Sequence, residues 1–139
     1  MHAHVVARRI AGFSHEIDLG DGREIVVDEP PEDGGTGTGP RPTQLLASSL
    51  AGCTAITIEL YAKRKGWDVD GLEVGVEMSS QGEAASSRAM PTHFVVEVAL
   101  PDRLDDEQRR KLMVIAEKCP VHKLLEHGAE ITVAERARA

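Results

Sequence analysis

The run from Pro42 to Lys65, PTQLLASSLAGCTAITIELYAKRK, constrains the fold more than any other part of the chain. Its pattern is helical and Gly66 is the expected stop. Leu46, Leu50, Cys53, Thr57 and Leu60 share one stripe, while Leu45, Ile56 and Ile58 make other faces apolar too. Ala47, Ser48, Ser49, Ala51 and Gly52 are small enough for another element to approach closely. A helix apolar nearly all round belongs at the centre of a structure rather than on its surface.

Strand patterns flank it. Residues 3–28 alternate in three short runs, HVVARRI, SHEIDL and REIVVD, with the hairpin dipeptide Asp21-Gly22 between the last two, so a three-stranded antiparallel meander is expected. Beyond Gly66, Leu72, Val74, Val76 and Met78 alternate with acids as a half-exposed strand, SQGEAASSRAMP reads as a loop, and THFVVEVAL as a second strand. Asp105 followed by Gln108 has the spacing of a capping box, with Leu112, Ile115, Ala116 and Cys119 on the apolar side of the helix it opens. AEITVAE, 129–135, reads as a last strand. The order βββ–α–ββ–α–α–β gives an α+β fold in a single domain, residues 1–139.

Charge and composition exclude some functions. The formal net charge is −7, and KRK at 63–65 is the one tight basic cluster, read as a solvated helix end. A chain that tracks phosphates needs a basic stripe, and with one Trp, one Tyr and two Phe no aromatic platform for bases is evident, so no nucleic-acid partner is expected. The loop 29–40, EPPEDGGTGTGP, lacks the Gly-Lys-Ser/Thr ending of a phosphate cradle and reads as a flexible linker into the helix. The N-terminus carries charges where a signal peptide needs an apolar run, and no segment is read as approaching membrane-spanning length. The expected location is therefore the cytoplasm, with no membrane partner, where thiols stay reduced and two cysteines are packing or chemistry rather than a staple.

Of those two, Cys119 is followed by Pro120, which suits a first helical position, so one helix should break near Lys118 and another run from Pro120 to about Gly128. Cys119 would then be the N-cap, where amides and the helix dipole favour a thiolate, and His122, one turn on, could carry a proton. Inert packing is the alternative for both. Cys53 lies mid-helix on an apolar stripe, where burial raises a thiol pKa. It becomes a nucleophile only with a cationic or hydrogen-bonding neighbour, for which the loop carrying Arg41 is one source.

Read together, GPRPTQLLASSLAGCTA and the later KCPVHKLLEHGAEITV resemble the two motifs of the OsmC/Ohr family of thiol-dependent hydroperoxide reductases. The Gly-Pro-x-Pro opening, Leu-Leu, small residues and mid-helix Cys match the first motif; CPVHKLL followed by a strand matches the second. The resemblance implies an intertwined homodimer with paired long helices at its centre and active sites at the subunit interface. It also implies that Cys53 attacks a peroxide bond and forms a sulfenic acid, that Cys119 condenses with it to a Cys53–Cys119 disulfide, and that an external dithiol of lipoyl type restores both. No cofactor is implied. The sequence departs from the peroxidase branch at one position: a glutamate there follows the second proline and, with an arginine, activates the first cysteine, whereas here Thr43 and then Gln44 stand. Arg23 and Arg41 are the candidate arginines.

Two other readings compete with a peroxidase acting on a small hydroperoxide. One is a non-catalytic protein that binds a small apolar ligand or senses redox state through the thiols. The other is a metal site built from Cys53, Cys119, His122 and His127. His2 and His4 are assigned no role.

Overall fold

In the computed structural model, which describes residues 2–80 and 92–137, helix α1 spans Pro42–Lys65, as its sequence pattern predicts, and Gly66 at φ 71° ends it. Lys63, Arg64 and Lys65 fill its last turn, where cations oppose the negative end of the dipole. Two compact units divide the chain, Met1–Ser48 and Ser49–Ala139.

The first unit holds the predicted meander: β1 Val6–Ala11, β2 Ser14–Asp18 and β3 Glu24–Val27, antiparallel in the order β1-β2-β3. The hairpin signal at Asp21-Gly22 marks a real reversal, but the connection is a five-residue loop, closed by Leu19 N–H donating to the Arg23 carbonyl at 2.9 Å. The loop after β3 departs from the expected linker. Asp28, 1% exposed, accepts hydrogen bonds from the backbone N–H and hydroxyl of both Thr36 and Thr38 and from the N–H of Glu29, at 2.6–3.2 Å. These donors hold its carboxyl far below the usual carboxylate range, with the Thr36 hydroxyl the largest contributor. The alternating glycines let the backbone close around it. A Cβ on Gly35 would lie 1.8 Å from the Glu29 carbonyl oxygen, and one on Gly39 would lie 2.3 Å from that of Val26. GTGTG is thus an anion cradle after all, filled by the protein's own carboxylate.

In the second unit, β4 Glu73–Ser79 and β5 His93–Ala99 pair antiparallel, with Val74, Val76 and Met78 opposite Val98, Val96 and Phe94 on the half-buried face. Apart from Ser80, the loop predicted over 80–91 lies outside the described residues. Helix α2, Asp106–Ala116, opens with the predicted capping box, Asp105 and Gln108 each bonding the other's backbone N–H at 2.8 and 2.9 Å. Helix α3, Pro120–His127, follows after a break at Glu117–Cys119. Ile58 and Ala62 of α1, Leu112 and Ala116 of α2, and Leu104 form the buried core, with Trp67, Leu72 and Val98 packed against it. Burying Ile58 and Leu112 completely stabilises the fold by about 1.5–3 kcal/mol each.

Two expectations need correction. The strand predicted over 129–135 is not formed: the described residues hold no strand after α3, and Ile131 and Val133 are 82% and 92% exposed. A β-prone segment stays irregular when no neighbouring strand accepts its hydrogen bonds. Second, α1 does reach membrane-spanning length, 24 residues with a mean hydropathy of 1.4 over its most apolar 18. A helix apolar on every side meets that criterion whatever it packs against. Only Leu50, Thr54, Ile58 and Ala62 are buried in α1, while Leu46, Ile56 and Leu60 are exposed.

Candidate active site

Two helices of the second unit bring the cysteines together. Cys53 sits in the middle of α1, half-buried; Cys119 stands at the N-cap of α3, fully buried. Both are free thiols, and Cys119 lies close enough to raise the Cys53 thiol. The contact favours the protonated form of Cys53.

The electrostatics of Cys53 are set by opposed effects. Burial pushes its thiol up from the ordinary range and is the largest influence, reinforced by Cys119. Two neighbours pull the other way: the backbone N–H of Val121, in the first turn of α3, and the hydroxyl of Thr57, one turn along α1, which donates to the Cys53 carbonyl at 2.7 Å. Burial prevails, and the thiol is favoured over the thiolate.

The positions singled out in the sequence fall as follows. Cys119 occupies the predicted N-cap, but its sulfur makes no cap hydrogen bond; the α3 amide at Val121 serves Cys53 instead. The ring of His122, read as a proton carrier, has its Nε2 2.9 Å from Glu126 Oε2, one turn along the same helix. Arg23 is exposed and gripped by Asp21 of its own loop, its Nε 3.0 Å from Oδ2. Arg41 faces three acids of the 29–40 loop, with Asp33 at 2.9 Å, Glu29 at 3.6 Å and Glu32 at 3.8 Å. Thr43 is exposed, and Gln44 caps the start of α1 by accepting from the Arg41 N–H at 2.9 Å. The four-ligand metal reading finds no cluster: among the described residues no three His, Cys, Asp or Glu side chains converge on a point fit for a metal ion.

A cleft of about 360 Å³ opens between α1, β5 and α3, and neither cysteine lines it. Leu50, Phe94, Val96 and Leu125 supply an apolar lining, and His93, His122 and Glu126 a polar edge. Leu50 precedes Cys53 by about one turn of α1, and His122 adjoins Val121. Sequence reasoning missed Val121 and Thr57, because neither a backbone amide nor a hydroxyl one turn from a thiol carries a signature of its own.

The family model for OsmC-like proteins matches residues 35–134, the stretch that holds both cysteines. The chain belongs to the OsmC-like family. Solved structures share the fold of this OsmC-like chain. The organic hydroperoxide resistance protein OhrB of Bacillus subtilis is 28% identical, with 88% of this chain and 89% of that one covered and a TM-score of 0.63. An osmotic stress induced and detoxification response protein from Psychrobacter arcticus is 24% identical, with coverage of 86% and 85% and a TM-score of 0.71. An organic hydroperoxide resistance protein OsmC from Legionella pneumophila is 20% identical, with coverage of 90% and 89% and a TM-score of 0.69. No curated protein matches the chain. The α+β class predicted from the sequence, with antiparallel sheets and three helices, is the fold of these OsmC-like relatives.

Proposed function

We propose that this OsmC-like protein is a thiol-dependent redox protein that reduces small organic hydroperoxides. The observation that carries the reading is the approach of Cys119 to Cys53, remote in sequence yet near enough in space to shift its thiol. Membership of the OsmC-like family and likeness to two organic hydroperoxide resistance proteins support the same chemistry. In the proposed cycle the Cys53 thiolate attacks one oxygen of the peroxide bond; the other leaves with a proton as the alcohol, and Cys53 becomes a sulfenic acid. The Cys119 thiol then displaces water from that sulfenic acid and closes a Cys53–Cys119 disulfide. An external dithiol reduces it, becoming a disulfide itself and returning both thiols. No metal or cofactor enters. The Val121 amide and the Thr57 hydroxyl take the role of stabilising the Cys53 thiolate, and the apolar cleft between α1, β5 and α3 takes the alkyl group of the peroxide.

The working unit in this reading is a cytoplasmic homodimer. Ile56 and Leu60 leave an apolar face of α1 uncovered, and 129–135 is a β-prone segment without a partner strand. A second copy supplies what both lack.

One observation favours a second reading. Burial holds the Cys53 thiol up, and Thr43 stands where a glutamate would help an arginine to ionise it. A protein so built binds a small apolar ligand or registers oxidation without turning over. The deciding experiment follows consumption of tert-butyl hydroperoxide with dihydrolipoamide as reductant. Multiple turnovers that vanish in Cys53→Ser support the peroxidase. Turnover that persists in Cys53→Ser ends that assignment, and slow oxidation of one equivalent per chain selects the sensor.

A further inference from the structure

The only Trp and the only Tyr of the chain line one cleft of the second unit, and neither belongs to the surroundings of the thiols. Tyr61 comes from α1, and Trp67 lies just past the Gly66 stop. Their rings meet edge to face, centroids 5.8 Å apart at 64°. Both are half-buried and packed on the core, which fixes their orientation. The cleft measures about 410 Å³, within the range of small-molecule sites.

Its rim is cationic in a chain whose net charge is −7. Lys65 and Lys111 place their Nζ atoms 5.7 and 5.6 Å from the centroid of the same Tyr61 ring, and Arg110 lines the cleft beside them. The helix dipole accounts for Lys65, in the last turn of α1, but not for Arg110 or Lys111, which lie inside α2. One carboxylate, Glu107, shares the rim, yet among the described residues none of the three cations makes an ion pair. An aromatic face offsets about 0.5–1 kcal/mol per cation at an exposed site, whereas two ammonium groups gathered on one ring repel each other. An anion between them relieves that repulsion. A flat apolar ring attached to the anion finds two oriented aromatic surfaces beneath it.

We propose that this cleft is a binding site for a small aromatic anion, a flat ring bearing a carboxylate or a phosphate, held by Lys65, Arg110 and Lys111 over Tyr61 and Trp67. The site is independent of the thiol chemistry, and Cys53→Ser leaves it intact.

Trp67, as the single tryptophan, reports on the site directly. Its fluorescence is followed in the full-length protein during titration with benzoate and phenyl phosphate. Benzyl alcohol serves as the ring without charge, and inorganic phosphate as the charge without ring. The expected result is a saturable change with half-saturation at or below about 1 mM for at least one aryl anion, and at least about tenfold weaker binding for both controls. Whichever aryl anion binds more tightly assigns the head group. Arg110→Glu and Lys111→Glu, both exposed positions, are expected to weaken that binding about tenfold or more with unchanged thermal unfolding. Should a variant unfold, the same titration of the unaltered protein in rising salt replaces it, with weakening expected. No saturation by either aryl anion, equal binding of benzyl alcohol, or indifference to both charge reversal and salt overturns the site.

Discussion

The backbone N–H of Val121 draws the pKa of the Cys53 thiol down, although the residue capping that helix is Cys119. The N-terminus of α3 therefore acts on the mid-helix cysteine. The cap cysteine, fully buried, favours the protonated form of Cys53. One helix end serves one sulfur directly and holds the other within reach.

Cys53 should respond in opposite directions to its two side-chain neighbours. Cys119 raises its pKa and Thr57 lowers it. At pH 8, Cys119→Ala is expected to speed iodoacetamide alkylation of Cys53 by about two- to fivefold, and Thr57→Val to slow it by a similar factor. Peptide mass spectrometry at Cys53 reads both rates. Two changes of the same sign would show that access, not ionisation, governs the reactivity.

The uncovered face of α1 predicts the oligomeric state. Ile56 and Leu60, 57% and 56% exposed, are one turn apart, and Ile56→Glu with Leu60→Glu would set charges into any interface there. Light scattering on a sizing column should show a dimer for the unaltered protein and a monomer for the double variant. A monomer in both cases refutes the assembly.

Asp28 predicts a pH signature for the first unit. A carboxyl held below its unfolded value stabilises the fold above the unfolded pKa of about 3.9, and that contribution is lost as pH falls toward the folded pKa. Asp28→Asn, which turns an NH₂ toward donors, should melt at a lower temperature at pH 7, with the gap narrowing below about pH 4. A gap that is constant with pH would assign the effect to shape alone.

Gly35 tests the closeness of the cradle. A Cβ there meets the Glu29 carbonyl oxygen at 1.8 Å, backbone against side chain with no flexible end to yield. Gly35→Ala is expected to cost about 1–3 kcal/mol in urea unfolding. A neutral result would mean that the loop can open without loss.

Much of the fold was legible because its signals are local. Gly66 ends α1, Asp105 with Gln108 opens α2, and Pro120 starts α3, each through a backbone rule that needs no distant partner. What failed depended on tertiary contacts. Ile131 and Val133 have strand propensity, but among the described residues no strand forms there. His122 found Glu126 at the i,i+4 spacing before any sulfur. The GTGTG run, read as a flexible linker, is an ordered cradle instead; Asp28 lies eight residues before Thr36 and nothing between them marks the pairing.

That occupant decides what the loop can do. Asp28 N–H also donates to the Pro40 carbonyl at 3.1 Å, so the last residues before α1 are stitched to the end of β3. A phosphate arriving from outside would find its seat already taken and its donors engaged. The glycine-rich stretch that most invites a nucleotide reading is, in this protein, a self-closing clasp just ahead of α1.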